Sequence, residues 1–490
     1  MQVLLIQPPE WYTVRANLPE SVEKLRGATP PISLMCVAAG VRKTGRHRVT
    51  LLDAFALGLG YDGLERAIRK AKPDVVGIPV TTFTLLDAME TARRARKAVP
   101  GAKIVAGGLQ PSLYPKETAE LGIFDYSFSG EVDWTLPLFL EALESGNGVQ
   151  DIPGIIFCDG KNLVANPPAA PIEDLDSLPF PSHDLLVLDR YSSLITNLEP
   201  VSITVTSRGC PYRCSFCSHS VTGKKYRTRS AESVAEEMAW CEKLGIRYLM
   251  VYDEVMTLQK DRVLQLCELI QKRGIKMKWM ARARVGHLTD DILGAMKRAG
   301  CDMVTMGIES GSPRVLKKLK RPTDIDALVR SFHMIRSAGL RSIAYFMIAC
   351  PDEEMEDLQA SLDVAKRSNP DMVHAAVFVP YPATDLYEEG LATGRFETDY
   401  WEAFSMNPSR DFHPRLWVAP GREKEAMERL QWFYRRFYLR PGYVLRRLVK
   451  LSGMKDVLRN LRGLSAVLTG KGWSPADPGG EKKKGGTFAE

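Results

Sequence analysis

The sequence predicts an α/β protein in three parts: an N-terminal doubly wound, Rossmann-like parallel sheet, a partial (β/α)6 TIM-type barrel, and a C-terminal helical region. Three observations carry this. Apolar strand patterns alternate with helix-period segments through residues 1–150, six strand-and-helix repeats follow Val201, and aromatic and basic residues take over from Tyr400. At 490 residues the chain can build two or three substantial cores. Its 45% apolar and 26% charged content is ordinary for a globular protein. No apolar run reaches membrane-spanning length, and residues 1–10 lack the charged start and cleavage site of a signal peptide. Nine cysteines in so long a chain do not make a small disulfide framework. They suit a reducing cytoplasm, where clustered thiols serve as metal ligands.

In the first 150 residues, strand patterns at 3–6, 49–52, 74–79 and 103–106 end respectively in Pro8-Pro9, Asp53, Thr81-Thr82 and Gly107-Gly108. Helix-period segments at 32–43 and 85–98 lie between them. Alternation of this kind makes a parallel sheet that binds ligands outside the carboxyl ends of its strands. Gly107 and Gly108 place bare backbone there, open to a bulky ligand; Thr81 and Thr82, at the neighbouring strand end, are further candidate ligand-binding residues. Residues 151–198 are punctuated by Pro167, Pro168, Pro171, Pro179 and Pro181 and read as an extended connector over the surface, with His183 structural.

The barrel, 199–395, has strand patterns at 203–206, 246–252, 276–282, 302–308, 342–349 and 373–379. In the intervening helices Val234, Met238, Cys241 and Leu244 share one face, after Ser230 as N-cap. Val263, Leu266, Cys267 and Ile270 share another, so Cys241 and Cys267 belong to core packing. By analogy with complete barrels the chemistry belongs at the carboxyl ends of the strands. Acidic and polar clusters recur there: Asp253-Glu254, Glu309-Ser310-Gly311 and Cys350-Pro351-Asp352-Glu353.

The first barrel strand, whose Val and Ile alternate with Ser and Thr as in a half-buried strand, runs into Cys210-Pro211-Tyr212-Arg213-Cys214-Ser215-Phe216-Cys217. Gly209 and Pro211 put three thiols at CxxxCxxC spacing on a loop. Three thiolates leave one position of a four-ligand metal centre open. An iron–sulfur cluster fits, as does a zinc site completed by His219.

This loop, with an aromatic Phe216 before the last cysteine, resembles that of the radical S-adenosylmethionine enzymes. The resemblance implies a 4Fe–4S cluster on Cys210, Cys214 and Cys217 that reduces S-adenosylmethionine to a 5′-deoxyadenosyl radical. It implies that Asp253 and Glu254 contact the S-adenosylmethionine amino group and that Glu309 and Ser310 contact its ribose. Phe346-Met347-Ile348-Ala349-Cys350-Pro351 lies where the family has a glycine-rich stretch. Cys350, replacing a glycine, is a candidate proton or hydrogen-atom donor. Pro380-Tyr381-Pro382-Ala383-Thr384 is similar to the family's Pro-x-Pro-Gly-Thr.

The first 150 residues resemble the cobalamin-binding domain found upstream of many such barrels, through Leu4–Pro9, Pro30-Pro31, residues 75–78, Gly107-Gly108 with Pro111-Ser112, and Gly130-Glu131. The resemblance implies cobalamin whose nucleotide tail passes Gly107 and Gly108. Gly130-Glu131-Val132-Asp133 departs from the family's Gly-Glu-Gly-Glu, and Leu109-Gln110 stands where relatives often have histidine. The DxHxxG loop that ligates cobalt is absent after the first strand, so cobalt is expected to receive no histidine from this domain.

Residues 396–473 form the C-terminal region and 474–490 a Gly, Lys and Pro-rich tail that reads as disordered. Residues 421–472 carry 13 Lys and Arg against 4 Asp and Glu among many aromatics. Two readings fit: a helical cap on the barrel, or a basic amphipathic surface for anionic membrane. Nothing resembles a nucleic-acid-reading module. Together these features point to a cytoplasmic enzyme, peripheral to the membrane in the second reading, that methylates an unactivated carbon of a small, hydrophobic or lipid-like substrate. It would draw electrons from a partner such as flavodoxin or ferredoxin. Oxidative cyclisation or ring rearrangement of a polycyclic lipid or tetrapyrrole is the alternative that keeps both cofactors. A zinc-stabilised binding module is the non-enzymatic alternative.

Overall fold

The computed structural model describes residues 1–14 and 27–449. The first sheet has seven strands: β1 Gln2–Gln7, β2 Arg48–Asp53, β3 Val75–Pro79, β4 Lys103–Gly107, β5 Tyr126–Phe128, β6 Ile155–Asp159 and β7 Asn162–Ala165, in the order β2-β1-β3-β4-β5-β6-β7. The first five are parallel; β6 and β7 add an antiparallel hairpin at the edge. Strands buried on both faces must be apolar throughout. Leu4, Ile6, Val76 and Ile78 pack on one side against Leu64, Ala88 and Ala92, while Val3, Leu5, Val75 and Val105 pack on the other against Leu34, Val37 and Phe139.

The second sheet is β8 Val201–Thr204, β11 Tyr248–Val251, β12 Lys278–Ala283, β13 Cys301–Glu309, β14 Arg341–Ile348 and β15 Met372–Val377, all parallel and in sequential order from one open edge to the other. Leu249, Trp279, Val304, Ala344 and Phe346 join the helix-covered outer core. On the inner face Tyr248, Met250, Met280, Met303 and Ile343 pack against Leu186 and Tyr191 of the connector and Met35 of the first domain.

Two expectations are corrected here. The connector is not a surface strap: it supplies β6 and β7 and then plugs the inside of the half-barrel. The first barrel strand is buried on both sides, not half-buried. Its alternating polar residues serve a buried network: Ser202 Oγ lies 2.8 Å from His183 Nδ1, and His183 Nε2 lies 3.0 Å from a Glu237 oxygen whose partner oxygen accepts from Arg229. His183 is thereby structural.

The open edge at β15 is closed by the helix Glu423–Tyr438. Phe433 and Phe437 are buried beneath it. The Tyr434 hydroxyl accepts from Ala375 N and donates to Ala375 O, both at 2.9 Å. The Tyr438 hydroxyl does the same for Val373, and Tyr443 donates to Asp371 O at 2.8 Å. An unpaired sheet edge is a liability, and these hydroxyls substitute for a neighbouring strand. The C-terminal aromatics therefore form a cap on the barrel. Residues 450–490, including the rest of the basic stretch and the tail, lie outside the described residues. No described helix is long and apolar enough to cross a membrane.

Removing both hydroxyls (Tyr434→Phe with Tyr438→Phe) should leave the amides of Val373 and Ala375 without partners, at about 1 kcal/mol each. Hydrogen exchange of a peptide covering 372–377 should then accelerate by roughly tenfold, while exchange in β11 stays unchanged.

Candidate functional site

The loop bearing the three cysteines is held at every approach. Asp253, fully buried just after β11, accepts from Thr206 N at 2.6 Å and Ser207 N at 3.1 Å through one oxygen, and from Thr206 Oγ1 through the other. That departs from the role expected for it: one oxygen is committed to the backbone leading into the loop and the other to the Thr206 hydroxyl. Ser207–Arg208 (β9) then pairs antiparallel with Arg227–Thr228 (β10). Gly209 adopts φ 84°, and a Cβ there would lie 2.1 Å from the Lys225 carbonyl oxygen, so only glycine fits. Midway through the loop, Ser215 N donates to Leu319 O at 3.0 Å and Ser215 O accepts from Leu386 N at 2.9 Å. Phe216, half-buried, packs on the outer core and anchors the loop.

Cys214 is buried, Cys210 partly so, and Cys217 exposed. The guanidiniums of Arg284 and Arg321 each approach Cys214 Sγ to 3.7 Å. A hydrogen bond from the Cys217 thiol, with these two cations, holds Cys214 below the usual thiol range; burial pushes Cys210 up. Arg321 also donates to Gly307 O at 2.8 Å and lies 3.7 Å from Glu309, whose backbone takes a left-handed φ of 67°. Burial raises the Glu309 carboxyl. Thiolates sharing one zinc at about 2.3 Å would sit within roughly 4 Å of one another. Among the described residues, three such ligand atoms gather within 4.8 Å only at His183, Glu237 and Cys241. The three loop thiols do not all fall within that distance, although the Cys217 thiol is hydrogen-bonded to Cys214.

A cavity of about 420 Å³ lies between the two sheets. Thr81, Gly107, Gly108, Gly130, Cys36 and Leu109 line it from the first domain; Val205, Ser207, Arg208, Val221, Thr222, Tyr252 and Glu254 line it from the second. It thus reaches the shoulders of the cysteine loop on both sides. Gly108 takes φ 117°, and a Cβ there would meet Val80 O at 2.9 Å, whereas a Cβ on Gly107 would meet nothing within 4 Å. Gly107 therefore presents bare backbone to open space. Burial raises the Glu254 carboxyl, which accepts from Thr222 Oγ1 at 3.4 Å. Among the described residues, no histidine lines the cavity. After β1, the loop is tied to the buried Asp87, which accepts from Trp11 N, Tyr12 N and Thr13 Oγ1.

Three further expectations are corrected. Ser310 is buried, with its hydroxyl bonded to Ser361 Oγ and Ser312 N. Thr82 is buried behind Thr81 and does not line the cavity. Cys350 sits in the hydrophobic core, its thiol pushed up by burial, and does not reach the cleft.

Sequence reading missed what joins the two halves. Asp133 accepts both Nη atoms of Arg208, at 2.9 and 2.8 Å, and Glu131 accepts both Nη atoms of Arg227, at 3.1 and 2.6 Å. Arg208 also lies 3.3 Å from Glu131. Burial pulls the Arg208 pKa down, but the Asp133 hydrogen bonds and charge outweigh it and raise it. The departure at Gly130-Glu131-Val132-Asp133 was the available signal, as was Arg208 directly before Gly209-Cys210.

Residues 204–365 match the Radical SAM superfamily and residues 21–138 the B12 binding domain. An uncharacterized methyltransferase of Pyrococcus horikoshii is 30% identical over 471 residues, spanning 95% of this chain and 98% of its own length. The chain belongs to the radical S-adenosylmethionine enzymes that carry a B12-binding domain. This family membership replaces the zinc-module reading. Another relative, the anaerobic magnesium-protoporphyrin IX monomethyl ester cyclase of Rubrivivax gelatinosus, is 28% identical and spans 91% of this chain and 78% of its own. Among solved structures, the cobalamin-dependent S-adenosylmethionine radical enzyme OxsB has the same fold with TM-score 0.71 at 17% identity, covering 95% of this chain and 71% of that one. The radical S-adenosylmethionine methyltransferase TsrM from Kitasatospora setae follows at 0.64 and 18%, covering 80% of this chain and 75% of that one. A radical S-adenosylmethionine enzyme acts on a small molecule and requires a reductant.

The open space at Gly107 sets a test. Gly107→Leu should fold normally yet weaken cobalamin retention by about tenfold, the scale of an overpacked contact, measured by absorbance of the desalted protein. Iron content should not change.

Proposed function

We propose that this chain methylates a carbon of a small-molecule substrate, with a 4Fe–4S cluster on Cys210, Cys214 and Cys217, S-adenosylmethionine beside Glu254 and Glu309, and cobalamin over Thr81, Gly107 and Gly108. The observation that carries the reading is the single cavity that touches both the glycine turn of the first sheet and the shoulders of the cysteine loop. The donor sets suit these groups: three thiols on one loop, bare backbone beside open space, and no imidazole on the cavity wall. When bound, the cluster and S-adenosylmethionine supply a 5′-deoxyadenosyl radical and cobalamin supplies a transferable methyl group.

The chain's own residues do the positioning. Arg284 and Arg321 stabilise Cys214 as a thiolate, the form that ligates iron. Glu254, exposed at the strand end, and Glu309, half-buried, both with raised pKa values, are suited to accept hydrogen bonds from a cationic amino group and from ribose hydroxyls. Asp253, Ser215 and Gly209 fix the loop that carries the cysteines. The apolar wall, with Leu5, Val37, Ile78, Val105 and Leu136, keeps water from a reactive centre.

The lipid-like substrate class was expected from the aromatic C-terminal region, and that support is withdrawn because the aromatics are used on β15. A flavodoxin- or ferredoxin-type reductant suits the exposed Cys217 side of the loop. Peripheral membrane contact rests, within the described residues, on Pro441–Val449, where Leu445 is 66% exposed beside Arg446 and Arg447. Vesicles of anionic lipid that fail to retain the full chain would remove it.

Oxidative cyclisation is the second reading, favoured by the similarity to the Rubrivivax cyclase. S-adenosylmethionine labelled in its methyl group separates the two when the reconstituted enzyme is given the small-molecule fraction of its own cells. Methylation predicts label in a product heavier than its precursor by one labelled methyl group less a hydrogen, lost in Cys214→Ala together with 5′-deoxyadenosine. A mass change without label would favour cyclisation.

A further inference from the structure

A second polar row lies inside the half-barrel, above its sealed apolar layer. Side chains alternate along a strand. Ala281, Ala283, Val373 and Ala375 are buried in the outer core, so Arg282 and His374 between them face inward, as does Tyr345 between Ala344 and Phe346. Strand register sets Tyr345 opposite His374; Arg282 stands opposite Thr305, two residues before the Gly307 that faces Tyr345, and its charge still acts on the Tyr345 phenol. The rings of Tyr345 and His374 are 5.5 Å apart. The Arg282 guanidinium lies over the Tyr252 ring, 3.9 Å from its centroid, and Tyr252 lines the cavity between the sheets.

Arg282 differs from the other cations around the site. Arg208, Arg227 and Arg229 are paired with carboxylates, and Arg284 and Arg321 with Cys214. Among the described residues Arg282 has no hydrogen-bond partner and no carboxylate within ion-pair distance, although it is partly buried. His374 likewise has a ring contact and no hydrogen-bond partner among them. Burial alone lowers its pKa, so it stays neutral and does not repel the guanidinium. A cation kept partly dehydrated without an anion is costly unless something completes it. A planar guanidinium matches the two oxygens of a carboxylate or phosphate, and a phenol and a neutral imidazole can donate to the same group.

We propose that Arg282, Tyr345 and His374 bind an acidic group of the substrate, a carboxylate or phosphate, with Tyr252 supporting the guanidinium. The substrate is then an anionic small molecule held at the barrel end of the cavity, and a hydrocarbon with no acid group is not a substrate. The inference rests on the functional reading above. The carboxylate of S-adenosylmethionine offers the same chemistry, and the test separates the two sources.

The reconstituted full-length enzyme is equilibrated with S-adenosylmethionine and the small-molecule fraction of its own cells. Retained compounds are then identified by mass spectrometry for wild type, Arg282→Leu, Arg282→Lys and His374→Phe. The proposal predicts that wild type retains S-adenosylmethionine together with a compound that binds anion-exchange resin. In Arg282→Leu retention of that compound falls by about tenfold to a hundredfold, is partly restored in Arg282→Lys, and is weakened in His374→Phe, while S-adenosylmethionine is retained equally by all four. Loss of S-adenosylmethionine itself in a folded, cluster-loaded Arg282→Leu would assign the guanidinium to the cofactor and overturn the proposal. Retention only of neutral compounds, or of acids independently of Arg282, would also overturn it. If Arg282→Leu does not fold, Arg282→Lys and His374→Phe decide by the same comparison. Wild type that retains no S-adenosylmethionine would instead refute the underlying functional reading.

Discussion

Two carboxylates of the first domain, Glu131 and Asp133, meet two arginines of the second, Arg208 and Arg227, in bidentate pairs almost out of solvent. Charges buried this way are destabilising unless each finds its partner, so the pairs tolerate little displacement. Their location gives them their importance. Arg208 ends two residues before the first cysteine, Arg227 lies on the strand paired with it, and Glu131 and Asp133 follow the last parallel strand of the first sheet. The carboxyl ends of both sheets are thereby held facing one cavity, and a ligand on Gly107 is brought opposite the cysteine loop.

The remaining architecture supports that arrangement. The connector's Leu186 and Tyr191 fill the lower half of the barrel, where an eight-stranded barrel would close on itself. At the opposite edge the tyrosine hydroxyls pair with β15. The inner face and the β15 edge of the six-stranded sheet are thus occupied by the chain's own segments.

Much of this was legible from local pattern. Period-two and period-3.6 alternation located four of the five parallel strands and the six barrel strands, because burial against helices leaves a strong apolar signature; the three-residue β5 was too short to show one. The cysteine spacing and Gly107-Gly108 were legible because few residue types can do what those positions require. Contacts made far along the chain were not. Asp253 reads as a strand-end acid whether it faces a ligand or the backbone of Thr206, and only its fully buried position decides. Ser310 and Cys350 carry the same ambiguity. The proline-rich connector gave no sign that it would fold inward, since the face it fills belongs to strands as distant in sequence as Ile343 and Met372. Ala383 and Ala349, where a glycine would be expected, take left-handed φ values of 56° and 58°, so the backbone shape persists without the residue that usually signals it.

The central claim is that the glycine turn and the cysteine loop serve one space. It is tested most directly by electron paramagnetic resonance of the anaerobically reconstituted protein with cob(II)alamin bound and the cluster reduced. The account predicts a cob(II)alamin signal without splitting from a protein nitrogen, visibly altered by dipolar coupling to the reduced cluster. The coupling should disappear in Cys214→Ala, which cannot hold the cluster. A cob(II)alamin spectrum identical with and without the cluster, or one split by a histidine nitrogen, would contradict it.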